Sequence, residues 1–247
     1  MKIILSPAKK MNVCQDLLPY TALPAFREQT EEILDWLKSK SFEELKALWK
    51  CSDPIARQNV KRLENMKIDR NLSPAILSYE GIAYQYMAPS VFEHGQLAYV
   101  QEHLRILSGF YGVLRPMDGV VPYRLEMQAK AAISGHRNLY EFWGNRIYQA
   151  VRDDSGTIIN LASREYSRCV ETYLTDEDFF ITCDFMEESG GKLVTKGTYA
   201  KMARGEMVRF LAEHGIETPE GLRQFDRLGY KFRRELSDEK RYVFVKE

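Results

Sequence analysis

The sequence has no long hydrophobic run and no cysteine framework. Its longest apolar stretches, among them Ile3–Leu5 and Ala131–Ile133, are far shorter than the roughly 20 residues that span a bilayer. The N-terminal apolar segment is too short for a signal peptide and breaks at Pro7. The four cysteines are scattered without CxxC spacing, which argues against disulfide bonds. We therefore expect a cytoplasmic protein with no membrane contact.

Signatures of bound metals and cofactors are missing as well. The sequence holds no GxxxxGKS/T, no GxGxxG after a strand, no HExxH and no GxSxG. The four histidines lie far apart, and neither they nor the cysteines show the spacing of metal ligands. The sequence therefore predicts no metal and no cofactor.

Glycine and proline are scarce, and they make up less than a tenth of the 247 residues. With 45% hydrophobic and 28% charged residues, the composition is that of a globular protein with a packed core. Amphipathic helices are predicted within residues 24–68, 96–107, 138–151 and 198–214, and strands at 1–5, 157–161 and 179–185. No repeat or linker divides the chain. We predict a single mixed α+β domain over residues 1–247, with a small sheet packed by helices.

The chain has no net charge, because 35 basic residues balance 35 acidic ones. The charges are nevertheless segregated. Residues 1–10, 104–137 and 196–209 each carry a net charge of +3, whereas residues 171–188 hold seven acids and no Lys or Arg. An anion site follows if the basic segments converge in the fold; the alternative is a set of ordinary solvated faces.

One motif predicts a helix-hairpin-helix over about residues 96–120. A helix leads into a tight apolar turn framed by Gly109 and Gly112, with Tyr111 between them and Arg115 just beyond. Backbone N–H groups in such a turn can hold a nucleic-acid phosphate, and this contact does not read sequence. The alternative is a plain turn in which the glycines accept positive φ.

Further polar residues lie at the ends of predicted elements. Arg124 and Glu126 are two apart, so in a strand they share one face, either as an ion pair or in a polar pocket. Lys201 and Arg204 share one helical face. Three more candidates are Lys9 after the first strand, Ser163 at the N-cap of a helix that follows a strand, and Tyr123 beside Arg124.

Six segments of the chain carry a family resemblance. They are Ser6–Lys9, His103–Pro116, Pro122–Met127, Leu139–Gly144, Asn160–Tyr166 and Ala203–Gly205. Through them the sequence resembles the YaaA family of peroxide-stress proteins almost from end to end. Arg164 stands where the compared family member has an acid, which makes Glu165 the better candidate in that segment. The resemblance implies a cytoplasmic protein that limits unincorporated iron and so limits peroxide damage to DNA and proteins. It also implies an unusual mixed fold with a helix-hairpin-helix and an affinity for duplex DNA.

The sequence is therefore consistent with two functions. In the first, double-stranded DNA is bound without sequence specificity through Lys9, Gly109, Tyr111, Gly112, Arg115, Arg124, Lys201 and Arg204. In the alternative, the protein is an enzyme acting on a phosphorylated or nucleotide-like small anion in a pocket that adds Tyr123, Glu126, Ser163 and Glu165. No reaction is assigned, and we lean towards the first function. A closed pocket holding Arg124, Glu126, Lys201 and Arg204 favours the enzyme, and an open groove as wide as a duplex favours DNA.

Overall fold

The computed structural model describes residues 1–247. The helices are α1 (Arg27–Lys38), α2 (Phe42–Trp49), α3 (Asp53–Glu64), α4 (Ala75–Ser78), α5 (Ile82–Met87), α6 (His94–His103), α7 (Leu139–Trp143), α8 (Arg146–Val151), α9 (Arg164–Glu171), α10 (Gly197–His214) and α11 (Pro219–Leu222). The strands are β1 (Lys2–Leu5), β2 (Lys10–Met11), β3 (Ser73–Pro74), β4 (Tyr79–Glu80), β5 (Leu104–Ser108), β6 (Gly112–Leu114), β7 (Gly119–Val120), β8 (Thr157–Leu161), β9 (Phe179–Ser189), β10 (Lys192–Val194), β11 (Tyr230–Phe232) and β12 (Arg241–Lys246). No helix is both long enough and apolar enough to cross a membrane.

One mixed sheet of eight strands forms the centre of the molecule, in the order β11-β12-β9-β8-β1-β5-β6, with β10 paired to β9. The five strands from β12 to β5 are parallel, and antiparallel pairs close both edges. β1 is buried along its whole length, and Ile3 lies between Leu104 and Ile159. The predicted α+β class is confirmed, but the sheet is larger than expected.

Local sequence explains where several helices begin and end. The capping box of α2 is present as predicted, because Ser41 accepts from the Glu44 N–H and the Glu44 carboxylate accepts from the Ser41 N–H. The helix predicted over residues 138–151 is split into α7 and α8, since Gly144 adopts a φ of +52° between them. A single hydrophobic core of 65 buried residues runs from Met1 to Phe244.

The predicted helix-hairpin-helix is wrong. Residues 104–108 continue as strand β5, because they pair in parallel with β1 and are buried throughout. The chain then returns antiparallel as β6, so that residues 104–114 form a β-hairpin. Only α6 before it is helical. Long-range pairing with β1 thus overrides the helical pattern that the preceding residues suggest.

The turn of this hairpin is filled and buried. The N–H groups of Phe110 and Tyr111 both donate to Oγ of Ser108, at 3.2 and 2.9 Å. Gly112 has a φ of +73°, and a Cβ there would lie 2.8 Å from the Trp143 ring. The Trp143 indole N–H in turn donates to the carbonyl of Gly109 at 3.1 Å. The N–H groups of Phe110 and Tyr111 are therefore not free to hold a phosphate.

Candidate functional site

A cavity of about 380 Å³ opens at the carboxyl ends of β1 and β8. Parallel strands commonly place ligands at this edge of a sheet. Ser6 follows β1, and Ser163 lies between β8 and α9. Their contact closes the floor, since the Ser163 N–H donates to Oγ of Ser6 at 2.8 Å. Ser163 occupies the N-cap position as predicted, but its side chain makes no capping hydrogen bond.

Polar residues predicted from four separate segments line this one cavity. They are Lys9, Tyr123, Arg124, Glu126, Ser163, Glu165, Lys201 and Arg204. The glycine-framed turn is not among them: Gly109, Tyr111 and Gly112 are buried in the core. Arg115 is exposed but lies outside the cavity, and its N–H donates to Asp118 at 2.8 Å. The predicted anion-binding set therefore separates into four cavity residues, three buried residues of the hairpin turn and the exposed Arg115.

Helix α10 brings two cations to the cavity through a very close helix contact. A Cβ on Gly205 would overlap the carbonyl oxygen of Ala83 in α5, so only glycine permits this approach. Arg204 and Lys201 precede the contact on α10 and line the cavity. The helix packing thus fixes the distance at which both cations face the cavity.

Arg204 has no ion-pair partner, although its side chain is largely buried. Burial lowers the pKa of Arg204, and its Nε–H has no hydrogen-bond acceptor. The acid whose charge acts on it, Asp184, is itself paired with Arg241 at 2.7 Å. A buried guanidinium without a partner is costly, and an anionic ligand would supply the missing acceptor.

Glu126 is held between two cations. Its Oε2 lies 2.8 Å from Nζ of Lys9, and its Oε1 lies 3.7 Å from Nη2 of Arg124. Arg124 also donates to the carbonyl of Trp49 at 3.3 Å, while its buried Nε–H has no acceptor. The sequence left open whether Arg124 and Glu126 pair or line a polar pocket, and the structure shows that they do both.

Glu165 faces the same cavity in a different environment. No cation lies within 4.0 Å of its carboxylate, which accepts a hydrogen bond from the Gln128 N–H at 3.2 Å. Burial raises the pKa of Glu165, the neighbouring charge of Glu126 raises it further, and Lys9 opposes the rise. The neighbouring Arg164 is exposed and does not line the cavity. Glu126 is therefore ion-paired, whereas the surroundings of Glu165 favour protonation.

Tyrosine side chains form much of the apolar wall. The Tyr84 hydroxyl donates to the carbonyl of Ser6 at 3.0 Å. The Tyr123 hydroxyl lies 2.8 Å from that of Tyr79 and 2.6 Å from Oγ of Ser108. Burial raises the pKa of Tyr123 to about 12, so this phenol is neutral near pH 7. These bonds occupy both hydroxyls and fix the rings against the cavity.

The family of the chain follows from its similarity to known proteins. The family model described as peroxide stress protein YaaA matches residues 1–236. A UPF0246 protein from Agathobacter rectalis is 63% identical over 247 residues, which covers 100% of this chain and 99% of the relative. UPF0246 proteins from Lachnoclostridium phytofermentans and Pediococcus pentosaceus are 53% and 50% identical, over 100% of this chain and 96% and 98% of the relatives. The chain belongs to the YaaA family.

Membership of the YaaA family supports a general role in peroxide stress. Several cavity residues of this YaaA-family chain were nevertheless missing from the predicted site. Ser6 and Tyr166 lie inside segments that carry the family resemblance, so that signal was available. Lys10, Glu80 and Tyr84 also line the cavity, but no motif marks them. Across the chain, no group of three or more His, Cys, Asp or Glu side chains is placed to hold a metal ion.

Proposed function

We propose that this YaaA-family protein contributes to peroxide-stress protection by binding a phosphorylated, nucleotide-like small molecule in the cavity. One observation carries the proposal: Arg124, Glu126, Lys201 and Arg204 converge in a single cavity of about 380 Å³. That volume falls within the range of roughly 300–1,000 Å³ that is usual for small-molecule sites. A duplex, by contrast, contacts about 1,000–2,500 Å² of protein surface.

The chemistry of the wall supports this ligand class. Neither Lys201 nor Arg204 forms an ion pair with a carboxylate, which leaves both cations available to a phosphate group. Nine of the 21 lining residues are hydrophobic, and the rings of Tyr84 and Tyr123 are held against the cavity by their hydroxyl bonds. An aromatic base would pack against such rings. We propose that any limit on iron-dependent damage is a downstream effect of this binding.

Calorimetric titration with nucleoside 5′-monophosphates tests the proposal. We expect saturable binding, weakened roughly 10- to 100-fold in Arg204→Gln, because a hydrogen bond to a charged group contributes about 1.5–3 kcal/mol. Arg115→Gln is the matched control, since this exposed arginine lies outside the cavity. Absence of binding to every monophosphate, or equal weakening by the two variants, would contradict the proposal.

DNA binding is the second candidate, and a separate observation favours it. A groove of about 480 Å³ is lined by Arg62, Lys67 and Arg70, and no carboxylate lines it. None of the three cations forms an ion pair, so the groove could follow a phosphate backbone. The groove adjoins the cavity along the chain, because Pro122 lines one and Tyr123 the other. The hairpin at residues 104–114 has no part in this candidate.

Fluorescence anisotropy with straight, bent and gapped duplexes at two salt concentrations tests this candidate. Binding through three phosphates would give a log–log salt slope of about −2.7, from about −0.9 for each phosphate. Replacing Arg62, Lys67 and Arg70 by Gln should abolish that slope, whereas Arg204→Gln should leave it unchanged. Duplex binding that depends on Arg204 and not on the groove would move DNA recognition to the cavity.

A further inference from the structure

Three carboxylates line the cavity, and one of them, Glu80, is paired with Lys10 at 2.5 Å. The other two, Glu126 and Glu165, have different sets of partners. Glu126 is fixed beside Lys9 and Arg124, at 2.8 and 3.7 Å. Glu165 has no cation within 4.0 Å and accepts one backbone hydrogen bond, from Gln128 at 3.2 Å. An ion-paired carboxylate beside a carboxyl group whose surroundings favour the protonated form is the arrangement that glycosidic hydrolysis uses. A site built only to bind a phosphate has no use for either group.

We propose that the cavity is an active site that hydrolyses the N-glycosidic bond of a nucleoside 5′-monophosphate, with Glu165 as general acid and Glu126 as general base. The proposal rests on the proposed function, because it requires a nucleotide in the cavity. The N-glycosidic bond is the bond that is cleaved, and Glu165 and Glu126 are the two residues that move protons. Lys201 and Arg204 hold the 5′-phosphate and take no part in proton transfer.

The reaction balances without any further reactant except water. The bond between C1′ and the base nitrogen breaks, and its electron pair goes to the base. The protonated carboxyl of Glu165 donates its proton to that base. Water forms the new bond to C1′ and gives a proton to the carboxylate of Glu126. The products are the free base and the sugar 5-phosphate, and solvent then returns both carboxyl groups to their starting states.

The charges in the cavity favour this bond over the phosphate ester. Positive charge develops on the sugar as the glycosidic bond breaks, and an adjacent carboxylate stabilises it. The phosphorus of a monophosphate is surrounded by negative oxygens, which repel an attacking group activated by a carboxylate. Lys201 and Arg204 would anchor those oxygens at one side of the cavity, while the tyrosine rings support the base.

Protonation of Glu165 depends on the groups that surround it. Lys9 and Glu126 face it across the cavity, and Tyr140, Tyr166 and Cys169 interact with it from α7 and α9. Burial raises the pKa of Glu165, which favours the acid form that the reaction requires. The rate should therefore fall on the alkaline limb as Glu165 loses its proton. Glu165→Gln should remove that limb together with the activity.

Base release by the full chain is the direct test. The substrates are the adenosine, guanosine, cytidine and uridine 5′-monophosphates, their 2′-deoxy forms, and 8-oxo-2′-deoxyguanosine 5′-monophosphate. Free base and sugar 5-phosphate are separated by liquid chromatography. We expect equimolar release of both from at least one substrate. Glu165→Gln and Glu126→Gln should each lower kcat about 10²- to 10⁴-fold, as is typical of lost acid–base groups, with binding changed less than about threefold.

The outcomes separate this inference from the proposed function. Glu171→Gln is the control on the same helix, because this exposed residue does not line the cavity, and it should keep the activity of the native chain. Calorimetric binding of monophosphates without release of base from any of them would overturn the hydrolysis and leave the proposed function standing. Release that persists in Glu165→Gln would overturn the assigned acid. Failure of every monophosphate to bind would overturn both proposals.

Discussion

A close glycine contact occurs both in the β5–β6 hairpin and beside the cavity at β1 and β8, but the polar groups near the two contacts differ. In the hairpin, Gly112 makes room for the Trp143 ring, and Ser108 accepts hydrogen bonds from the N–H groups of Phe110 and Tyr111. In the cavity wall, Gly205 draws α10 onto α5 and so presents Arg204, whose Nε–H has no acceptor. Both glycines serve close packing, but only the second contact delivers an unsatisfied charge to a cavity.

Whether a glycine-framed turn can bind an anion depends on whether its N–H groups already have acceptors within the protein. An anion-binding turn leaves its N–H groups free, whereas those of Phe110 and Tyr111 in the hairpin turn are buried and bonded to Ser108. The basic residues of the cavity form a site because separate chain segments bring them together at the ends of parallel strands.

The largest effect is expected from Gly112→Val. The φ of +73° disfavours a β-branched residue, and its side chain would meet the Trp143 ring at 2.8 Å. We expect a loss of roughly 4 kcal/mol in the free energy of unfolding, from about 1–3 for backbone strain and about 1–3 for overpacking. Urea denaturation followed by circular dichroism measures it. Gly191→Ala is the control, because its φ of +74° is similar but its surroundings are open. Equal losses in the two variants would show that packing against Trp143 contributes nothing.

Gly205→Ala should come next and should link stability to the site. The added methyl would overlap the Ala83 carbonyl, and backbone cannot move aside as a flexible side chain can. We expect a loss of about 2–3 kcal/mol in unfolding free energy, typical of overpacking. We also expect weaker monophosphate binding, because α10 carries Lys201 and Arg204 away from their positions. Weakened stability with unchanged binding would show that the helix contact does not set the cavity.

The buried carboxyl of Asp118, next to the hairpin, should have a smaller effect on the free energy of unfolding, and this effect depends on pH. This carboxyl is 4% exposed, and burial raises its pKa to about 6, against the N–H of Arg115 and the charges of Arg115 and Arg105. Because the folded pKa exceeds the unfolded value of about 3.9, its stabilising contribution is full below pH 3.9 and disappears as the pH rises through 6. Relative to Asp118→Asn, the native chain should lose about 1–3 kcal/mol of stability between pH 4 and pH 7. Parallel pH dependences of the two unfolding free energies would contradict the buried-acid account.

The smallest effect is expected from Arg115→Gln. This side chain is exposed and lies outside the cavity, so its loss should change monophosphate and duplex binding less than about twofold. Equilibrium titrations on the variant and the native chain measure this directly. A clear loss of duplex affinity would show that the hairpin region contacts nucleic acid, and it would contradict the difference described between the hairpin and the cavity.

Local signals in the sequence predicted some elements well and others poorly. The capping box at Ser41 and Glu44 predicts the start of α2, because its hydrogen bonds close within four residues. The helix predicted over 96–107 ends at His103, since the following residues pair with β1, about a hundred positions away in the chain. No local pattern encodes such a pairing.

The cavity residues show the same division. The end of the first strand predicts Lys9, the helical face shared with Lys201 predicts Arg204, and the family resemblance favours Glu165. All three line one cavity. Tyr84 was not proposed, because an isolated tyrosine in a helix resembles any core residue. Its role in the wall depends on the hydrogen bond to the Ser6 carbonyl, which joins segments far apart in the sequence. Such contacts exist only in the folded chain.

The contact between Gly205 and the carbonyl of Ala83 also bears on the kinetics of ligand capture. Two backbones that touch directly cannot be drawn closer by a bound molecule, so we expect the cavity wall to keep the same shape when a ligand binds. No fraction of the population then has to be selected before binding, and the apparent affinity equals the intrinsic one. Differences in affinity among ligands should accordingly lie in their dissociation rates, while their association rates should be similar.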